Sequence, residues 1–422
     1  MLDIKFIREN PELVKAAAKK KHLELDLDRL LILEEKRRVS LPGIEELRAK
    51  QNGFTDKIAA TRDGGERQKM IDEMKILKED LRQKETEFDA LMKEWRIAML
   101  QVPNIPDVSV PEGASDRDNQ EVRKWGTLPK LTFVAKSHVE LMQKLNIVDF
   151  ERGAKVAGFR GYFLKNDGAL LAMAIWNLAL AHFVKKGFEP MLTPTNIRKE
   201  VFLDTGYLPQ GEEDLYKTQD ETYLSGTAEV PTMGYFMDEL VPRGSLPKKF
   251  ISFSPCFRRE AGSHGKDTKG LIRVHEFFKL EQVVLCEASH EESVKLHEEL
   301  TKNAEELIQM LELPYHVVAN CGGDLGLGQV KKYDIEVWVP SEQRYRETHS
   351  SSYFHDFQTR RLNIRYKDAD GMNRFVHSLN NTAIATPRIL VSLVENNQRE
   401  DGSIALPKAL HAYMGKEEIK SL

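Results

Sequence analysis

Apolar positions recur with two different periods along this chain, and the change of period divides it. Between residues 70 and 98, Met74, Leu81, Phe88 and Trp95 return every seven residues, with Met70, Leu77, Leu91 and Ala98 on a companion seam. That spacing predicts a long helix carrying an a/d stripe. Upstream, Leu33, Ile44, Leu47, Phe54 and Ile58 fit a second stripe, interrupted by Arg37, Ser40 and Gln51. Asp63-Gly64-Gly65 lies between the two and supplies a reversal, so residues 28–101 are expected to form an antiparallel helical hairpin. Pro42-Gly43 predicts a kink or break in the first arm, because proline lacks the N–H and crowds the preceding turn. At 1.5 Å per residue an arm of about thirty-five residues reaches roughly 50 Å, farther than capping a core requires.

Past the hairpin the texture changes. Pro103, Pro106 and Pro111, mixed with Asn, Asp, Ser and Gly between Val102 and Gln120, form no periodic pattern and read as a linker. The expected division is a helical N-terminal domain, residues 1–107, and a second domain, residues 108–422. In the latter, short β-rich runs at Lys249–Phe253, Glu281–Leu285 and Tyr333–Val339 alternate with helical patterns at Ala169–Lys186 and Glu291–Leu311. Strands outnumber βαβ units, which predicts an α+β fold built on an antiparallel sheet.

Composition narrows the class. The 422 residues suffice for two or three domains, and 62 Lys+Arg against 66 Asp+Glu leave a net charge of −4. A nucleic-acid partner would therefore have to meet local basic patches. Cys256, Cys286 and Cys321 form no CxxC pair, which suggests neither disulfides nor a thiolate zinc site and fits a reducing, cytoplasmic setting. The longest apolar stretch, Ala169–Val184, is short for a membrane span and contains Asn177 and His182, so it reads as a buried helix. No Walker-type loop, no GxGxxG followed by a helix and no HExxH occurs in the second domain.

The densest chemistry is Phe257-Arg258-Arg259-Glu260, a glycine-punctuated loop from Ala261 to Gly270, and then Leu271 to Glu281. Two β-rich runs flank a polar loop. If the second is a strand throughout, Arg273, His275, Phe277, Lys279 and Glu281 share one face, offering cations, an aromatic ring and a carboxylate together. A charged solvent face explains poorly why Phe277 sits among them. The stretch FRREAGSHGKDTKGLIRVHEFFKLE resembles motif 2 of class II aminoacyl-tRNA synthetases, and its GxDTxGLxRVHxFxKxE form resembles that of the seryl enzymes. GFEPMLTP, Gly187 to Pro194, resembles motif 1, and LNNTAIATPRILVSLVENNQ, Leu379 to Gln398, resembles motif 3. With the N-terminal hairpin the resemblance covers nearly the whole chain.

The resemblance implies a class II fold, an antiparallel sheet flanked by helices, joined to a coiled-coil arm. It also implies ATP-dependent activation of L-serine to seryl-adenylate, transfer to tRNA(Ser), with tRNA(Sec) as a further substrate, and a homodimer built on motif 1. No membrane partner is implied. Carried over position by position, Arg258 would bridge the α-phosphate and the serine carboxylate, with Arg259 and Glu260 beside it on ATP. Phe277 would stack on adenine, the backbone at Val274 would meet its edge, and Arg388 would cover its other face. In Glu347-Thr348-His349-Ser350, the ATP phosphate side, Glu347 and Ser350 would hold magnesium; the family more often has other residues at Thr348 and His349. Thr227, Ala228 and Glu229 would form the serine recognition loop with Arg258, Glu281 would read the hydroxyl, and Thr382 would close the pocket. No zinc is expected. The arm would lie along the long variable stem of the RNA, with Lys19, Lys20, Lys21, Arg37 and Arg38 as candidate contacts. Two other readings remain: a noncatalytic relative, against which stand Arg258, Glu260, Glu281, Glu347 and Arg388, and a ligase loading a carrier protein, against which stands the arm.

Overall fold

Two long helices, α1 (Leu27–Ala60) and α2 (Gly64–Leu100), build the arm. Each begins on an aspartate cap: Asp26 accepts from the Arg29 N–H at 2.9 Å, and Asp63 from Glu66 at 2.8 Å. The computed structural model describes residues 1–421 except His264 and Lys266. The seven-residue stripe of α2 is half-buried along its length with Leu81 buried, and Leu27, Leu30, Leu33 and Ile44 are the buried apolar positions of α1. A carboxylate sits on this seam. Glu34, 1 % exposed, accepts from Arg37 at 2.7 and 3.1 Å and from Trp95 Nε1 at 3.0 Å. Its hydrogen bonds offset the cost of burying its charge.

Helix α1 runs on through Pro42 without the break that Pro42-Gly43 could have made. Pro42 and Gly43 are exposed, so the carbonyl that loses its donor faces water, while Ile44 beside them is buried on the seam. Packing of that seam outweighs the local penalty. The arm unit comprises residues 3–19 and 23–103, and residues 1–2, 20–22 and 104–422 form the second unit.

The second unit is organised by an eight-stranded sheet. Its strands are β1 (Gln120–Trp125), β2 (Glu189–Leu192), β3 (Lys248–Phe257), β4 (Glu276–Cys286), β5 (Tyr315–Ala319), β6 (Lys331–Val339), β7 (Arg344–His355) and β8 (His377–Thr386). They lie in the order β1-β5-β6-β7-β8-β4-β3-β2, and only the β2–β3 pair is parallel. The helices of this unit used below are α3 (His138–Lys144), α4 (Asp167–Lys185), α5 (His290–Met310) and α6 (Arg388–Asn396). Leu171, Ile175 and Phe183 of α4, Leu300 and Leu307 of α5, and Leu390 and Val394 of α6 share one core with Leu280 and Ile384 of the sheet. Helix α4 is long and apolar enough to cross a membrane, but its buried face belongs to this core. A smaller cluster around Phe202, Tyr223 and Val230 supports the turn at 225–229.

Strand β4 begins at Glu276, so Arg273 and His275 lie on irregular chain ahead of it. The shared face is thus confined to Phe277, Lys279 and Glu281. Lys21 also departs from its expected role as an RNA contact: it is 2 % exposed and donates to the carbonyls of Gly326, Leu327 and Gln329 at 3.0, 2.9 and 2.6 Å.

Candidate active site

The β3–β4 hairpin pairs in continuous antiparallel register from Lys248–Leu285 to Phe257–Glu276, and this puts Arg258 at its loop end. The Arg258 N–H donates to His275 O at 2.9 Å and its guanidinium carbon lies 5.3 Å from the centre of the Phe277 ring. Its Nη2 reaches the carbonyl of Gly226 at 3.3 Å, next to the 227–229 turn. Arg259 turns away, donating from its backbone to Asp214 O at 2.8 Å and from Nη1 to Glu213 O at 3.2 Å. Glu260 accepts from Arg273 Nη1 at 2.9 Å, and Asp267 accepts from Arg273 Nε at 3.1 Å and from Arg346. Val274 is buried.

Arg388 opens α6, where its Nε donates to Ile272 O at 3.0 Å and its Nη1 to Glu347 O at 2.9 Å. Burial lowers its pKa; Glu347 opposes the shift, and repulsion from Arg258 and Arg273 adds to it. Cations crowded this closely form a ready site for a polyanion.

The other half of the site is a pair of buried carboxylates. Glu281, 2 % exposed, lies 2.5 Å from Lys279 Nζ and accepts from Thr382 Oγ1 at 3.4 Å. The two residues are i and i+2 on β4, so alternation alone brings them to one face. Burial raises the pKa of Glu281, Lys279 opposes the rise, and Glu229 adds to it by repulsion. Glu229, 4 % exposed, accepts from Tyr207 OH and from Gln358 Nε2, each at 2.6 Å, and Gln358 Oε1 accepts from Ser378 at 2.7 Å. Thr227 Oγ1 accepts from the Glu229 N–H at 3.3 Å, and Ala228 is fully buried between them. The positive charge of Arg258 opposes the upward pKa shifts that burial gives Glu281 and Tyr207.

A register shift shapes the remaining segment. His349 pairs with Ile335 and Glu347 with Glu336, leaving Thr348 as an extra residue on β7. Without that bulge, residues 347 and 350 would point to opposite faces. Ser350 lies opposite Asp334, whose pKa is pushed up to about 6 by burial against the pull of Lys332, with Glu347 adding repulsion and Ser350 a hydrogen bond. Asp334 Oδ1 is buried with no hydrogen-bond partner. Glu347, Ser350 and Asp334 offer oxygen donors, the ligand chemistry a hard divalent cation takes. Thr348 and His349 face inward: Thr348 Oγ1 donates to Ile335 O at 3.2 Å, and His349 Nε2 is 3.1 Å from Ala383 O. Their side chains are engaged by the protein.

Sequence reasoning missed Lys279 as the partner of Glu281, although its place two residues earlier on a β pattern signals it. Tyr207 and Gln358 gave no signal, standing 22 and 129 residues from Glu229.

Residues 213–397 match a family model described as the tRNA synthetase class II core domain (G, H, P, S and T). Residues 1–106 match the seryl-tRNA synthetase N-terminal domain. The serine--tRNA ligase of Deinococcus radiodurans is 46 % identical over 420 residues, covering 99 % of both chains. Among solved structures, the Pyrococcus horikoshii seryl-tRNA synthetase complexed with ATP superposes with a TM-score of 0.90 at 40 % identity, covering 100 % of both chains. The cytoplasmic serine-tRNA ligase of Naegleria fowleri with AMP gives 0.86 at 30 % identity, covering 100 % of this chain and 99 % of that one. The chain belongs to the seryl-tRNA synthetase family.

Proposed function

We infer that this protein activates L-serine with ATP and transfers the seryl group to tRNA(Ser). The observation that carries the reading is the placement of Arg258, whose guanidinium lies 5.3 Å from the centre of the Phe277 ring and reaches Gly226 O at 3.3 Å, next to the turn that carries Thr227 and Glu229. Activation is an in-line attack of the serine carboxylate on the α-phosphorus with loss of pyrophosphate, which needs orientation and charge neutralisation more than proton transfer. Arg258 meets both reacting partners there. Phe277 and Arg388 sandwich adenine, the backbone at Val274 and the Glu260 carboxylate meet its edge, and Arg259 joins them on the nucleotide. The ATP complex of the Pyrococcus horikoshii relative and the AMP complex of the Naegleria fowleri relative support a nucleotide in this site.

Glu229 and Thr227 take the ammonium end of serine, Glu281 accepts from its hydroxyl, and Thr382 and Ala228 wall the pocket. Alanine leaves Glu281 and Lys279 unmet, and threonine meets the wall. Glu347 and Ser350, with Asp334 beside them, would hold magnesium, which would neutralise charge on the phosphates. Contact of Thr348 and His349 with ATP runs through their backbone. The adenylate then meets a ribose hydroxyl at the RNA 3′ end, the acyl carbon changes partner, and AMP leaves.

The arm takes the variable stem of the RNA by shape, with Arg38 and Lys19 among its exposed cations. The homodimer forms on motif 1: Leu170 and Met173 of α4 are 51 % and 52 % exposed and Leu192 of β2 is 83 % exposed. β2 is one of the two edge strands of the sheet, beside an open apolar cavity of about 610 Å³ lined by Met191, Leu192, Pro194 and Tyr235. Contiguous apolar surface of this kind marks an interface. Its setting is the cytoplasm.

The test is ATP–pyrophosphate exchange followed by charging of a total transfer-RNA pool. Exchange is expected only with serine, and sequencing the charged species is expected to return tRNA(Ser). Full exchange with alanine or threonine would sink the assignment.

A further inference from the structure

One buried imidazole ties motif 2 to motif 3 and takes no part in the chemistry above. His138 is the first residue of α3 and is 6 % exposed. Its Nδ1 lies 2.9 Å from Glu395 Oε1, and its Nε2 accepts from the backbone N–H of Leu271 at 3.2 Å. A carboxylate oxygen accepts, so Nδ1 carries the proton and Nε2 offers its lone pair to Leu271; one tautomer satisfies both contacts. Glu395 is held in turn. It is fully buried in α6, with Oε1 also accepting from the His138 N–H at 2.8 Å and Oε2 from the Ser341 N–H at 2.9 Å. Gly270, just before Leu271, has φ +85°, and a Cβ there would stand 2.2 Å from His138 Nε2. Only glycine lets the loop come this close.

The place of this contact gives its consequence. Leu271 is the first buried residue after the 261–270 loop, and the next carbonyl, Ile272 O, accepts from Arg388 Nε at 3.0 Å. Arg388 and Glu395 stand near opposite ends of α6. The helix therefore grips the exit of the loop twice, directly through Arg388 and indirectly through Glu395 and His138. If Leu271 shifts, the carbonyl that aims the Arg388 guanidinium shifts with it. We infer that His138, locked by Glu395, is a positioning residue for ATP, fixing the exit of the motif 2 loop so that Ile272 O orients Arg388. The inference rests on the reading of Arg388 as a nucleotide ligand.

His138→Phe fills similar space without either polar atom. It is expected to raise the KM for ATP in serine-dependent exchange about tenfold, the effect of losing one buried hydrogen bond's worth of alignment, and to leave the KM for serine unchanged. His138→Gln, whose amide can accept from Leu271 and donate to Glu395, restores most of the ATP affinity. Gly270→Ala, which sets a methyl group against Nε2, reproduces the ATP defect with His138 intact. Calorimetric titration of each folded variant with ATP and magnesium must give the same ranking without turnover. Wild-type ATP affinity in His138→Phe overturns the inference, as does a uniform loss of kcat and both affinities that glutamine does not rescue. If His138→Phe fails to fold, Gly270→Ala decides: a selective ATP defect supports the tie and wild-type ATP affinity overturns it. Arg388→Ala separates the two levels. Unchanged ATP affinity there removes the reading of Arg388, whereas a large loss beside normal affinity in His138→Phe removes the tie alone.

Discussion

Glu281 is useful to a hydroxyl-bearing substrate only while it is ionised, and the pocket works against that state. Burial raises its pKa and Glu229 repels it, while Lys279 at 2.5 Å holds the charge in place. As pH falls through the raised value the carboxyl gains a proton, one acceptor oxygen becomes a donor, and the attraction of Lys279 is lost. Serine kcat/KM should therefore fall on the acid side with an apparent pKa above the ordinary 4.5, while the KM for ATP stays flat. In Glu281→Gln that limb should vanish, and serine kcat/KM should drop about tenfold to a hundredfold, the cost of losing a charge-assisted hydrogen bond. A pH profile of pyrophosphate exchange for both proteins checks this; the same acid limb in Glu281→Gln would assign it to another group.

At the scale of elements, the proposed reading assigns activation to the sheet and RNA binding to the arm. The cations and carboxylates of the candidate site lie between Glu229 and Arg388 of the second unit, whereas the arm presents a half-buried seam, a buried Glu34 and exposed charge. Deleting residues 28–101 should leave serine-dependent pyrophosphate exchange near its full rate and cripple charging of tRNA(Ser). Exchange and charging assays on the same preparation measure both, and equal loss of the two would refute the division. The arm also shows how local rules yield to packing. Pro42 disfavours a helix by up to about 3 kcal/mol, yet α1 continues because the seam on its far side gains from Ile44, Leu33 and their partners along α2.

The whole molecule has a pH dependence of its own. His297 in α5 and His349 in β7 are each 1 % exposed, with their Nε2 atoms 3.0 and 3.1 Å from the carbonyls of Ser351 and Ala383, and burial pushes both pKa values down to about 4 from 6.5. The unfolded chain takes up protons below pH 6.5 that the folded chain refuses until about 4, so the stability these groups contribute is present above 6.5 and is lost as pH falls. Between 6.5 and 5 each costs about 2 kcal/mol. Unfolding midpoints should drop over that range, and His349→Gln should flatten the drop by about that amount; an unchanged slope would show that His349 is not held neutral. What the sequence determined by itself is what is periodic or contiguous: the seven-residue stripe of α2, the reversal at Asp63, the hairpin bearing Arg258 and Glu281, and the glycine before Leu271. Such features are set by neighbours along the chain, whose spacing is visible in the residues themselves. The tertiary structure alone decided the bulge that turns Glu347 and Ser350 to one face, the hold of Tyr207 and Gln358 on Glu229, the withdrawal of Lys21, and the His138–Glu395 tie. Each depends on how strands register or on a partner arriving from far along the chain, 257 residues in the last case, and a buried polar group takes its role from the few partners that burial leaves it.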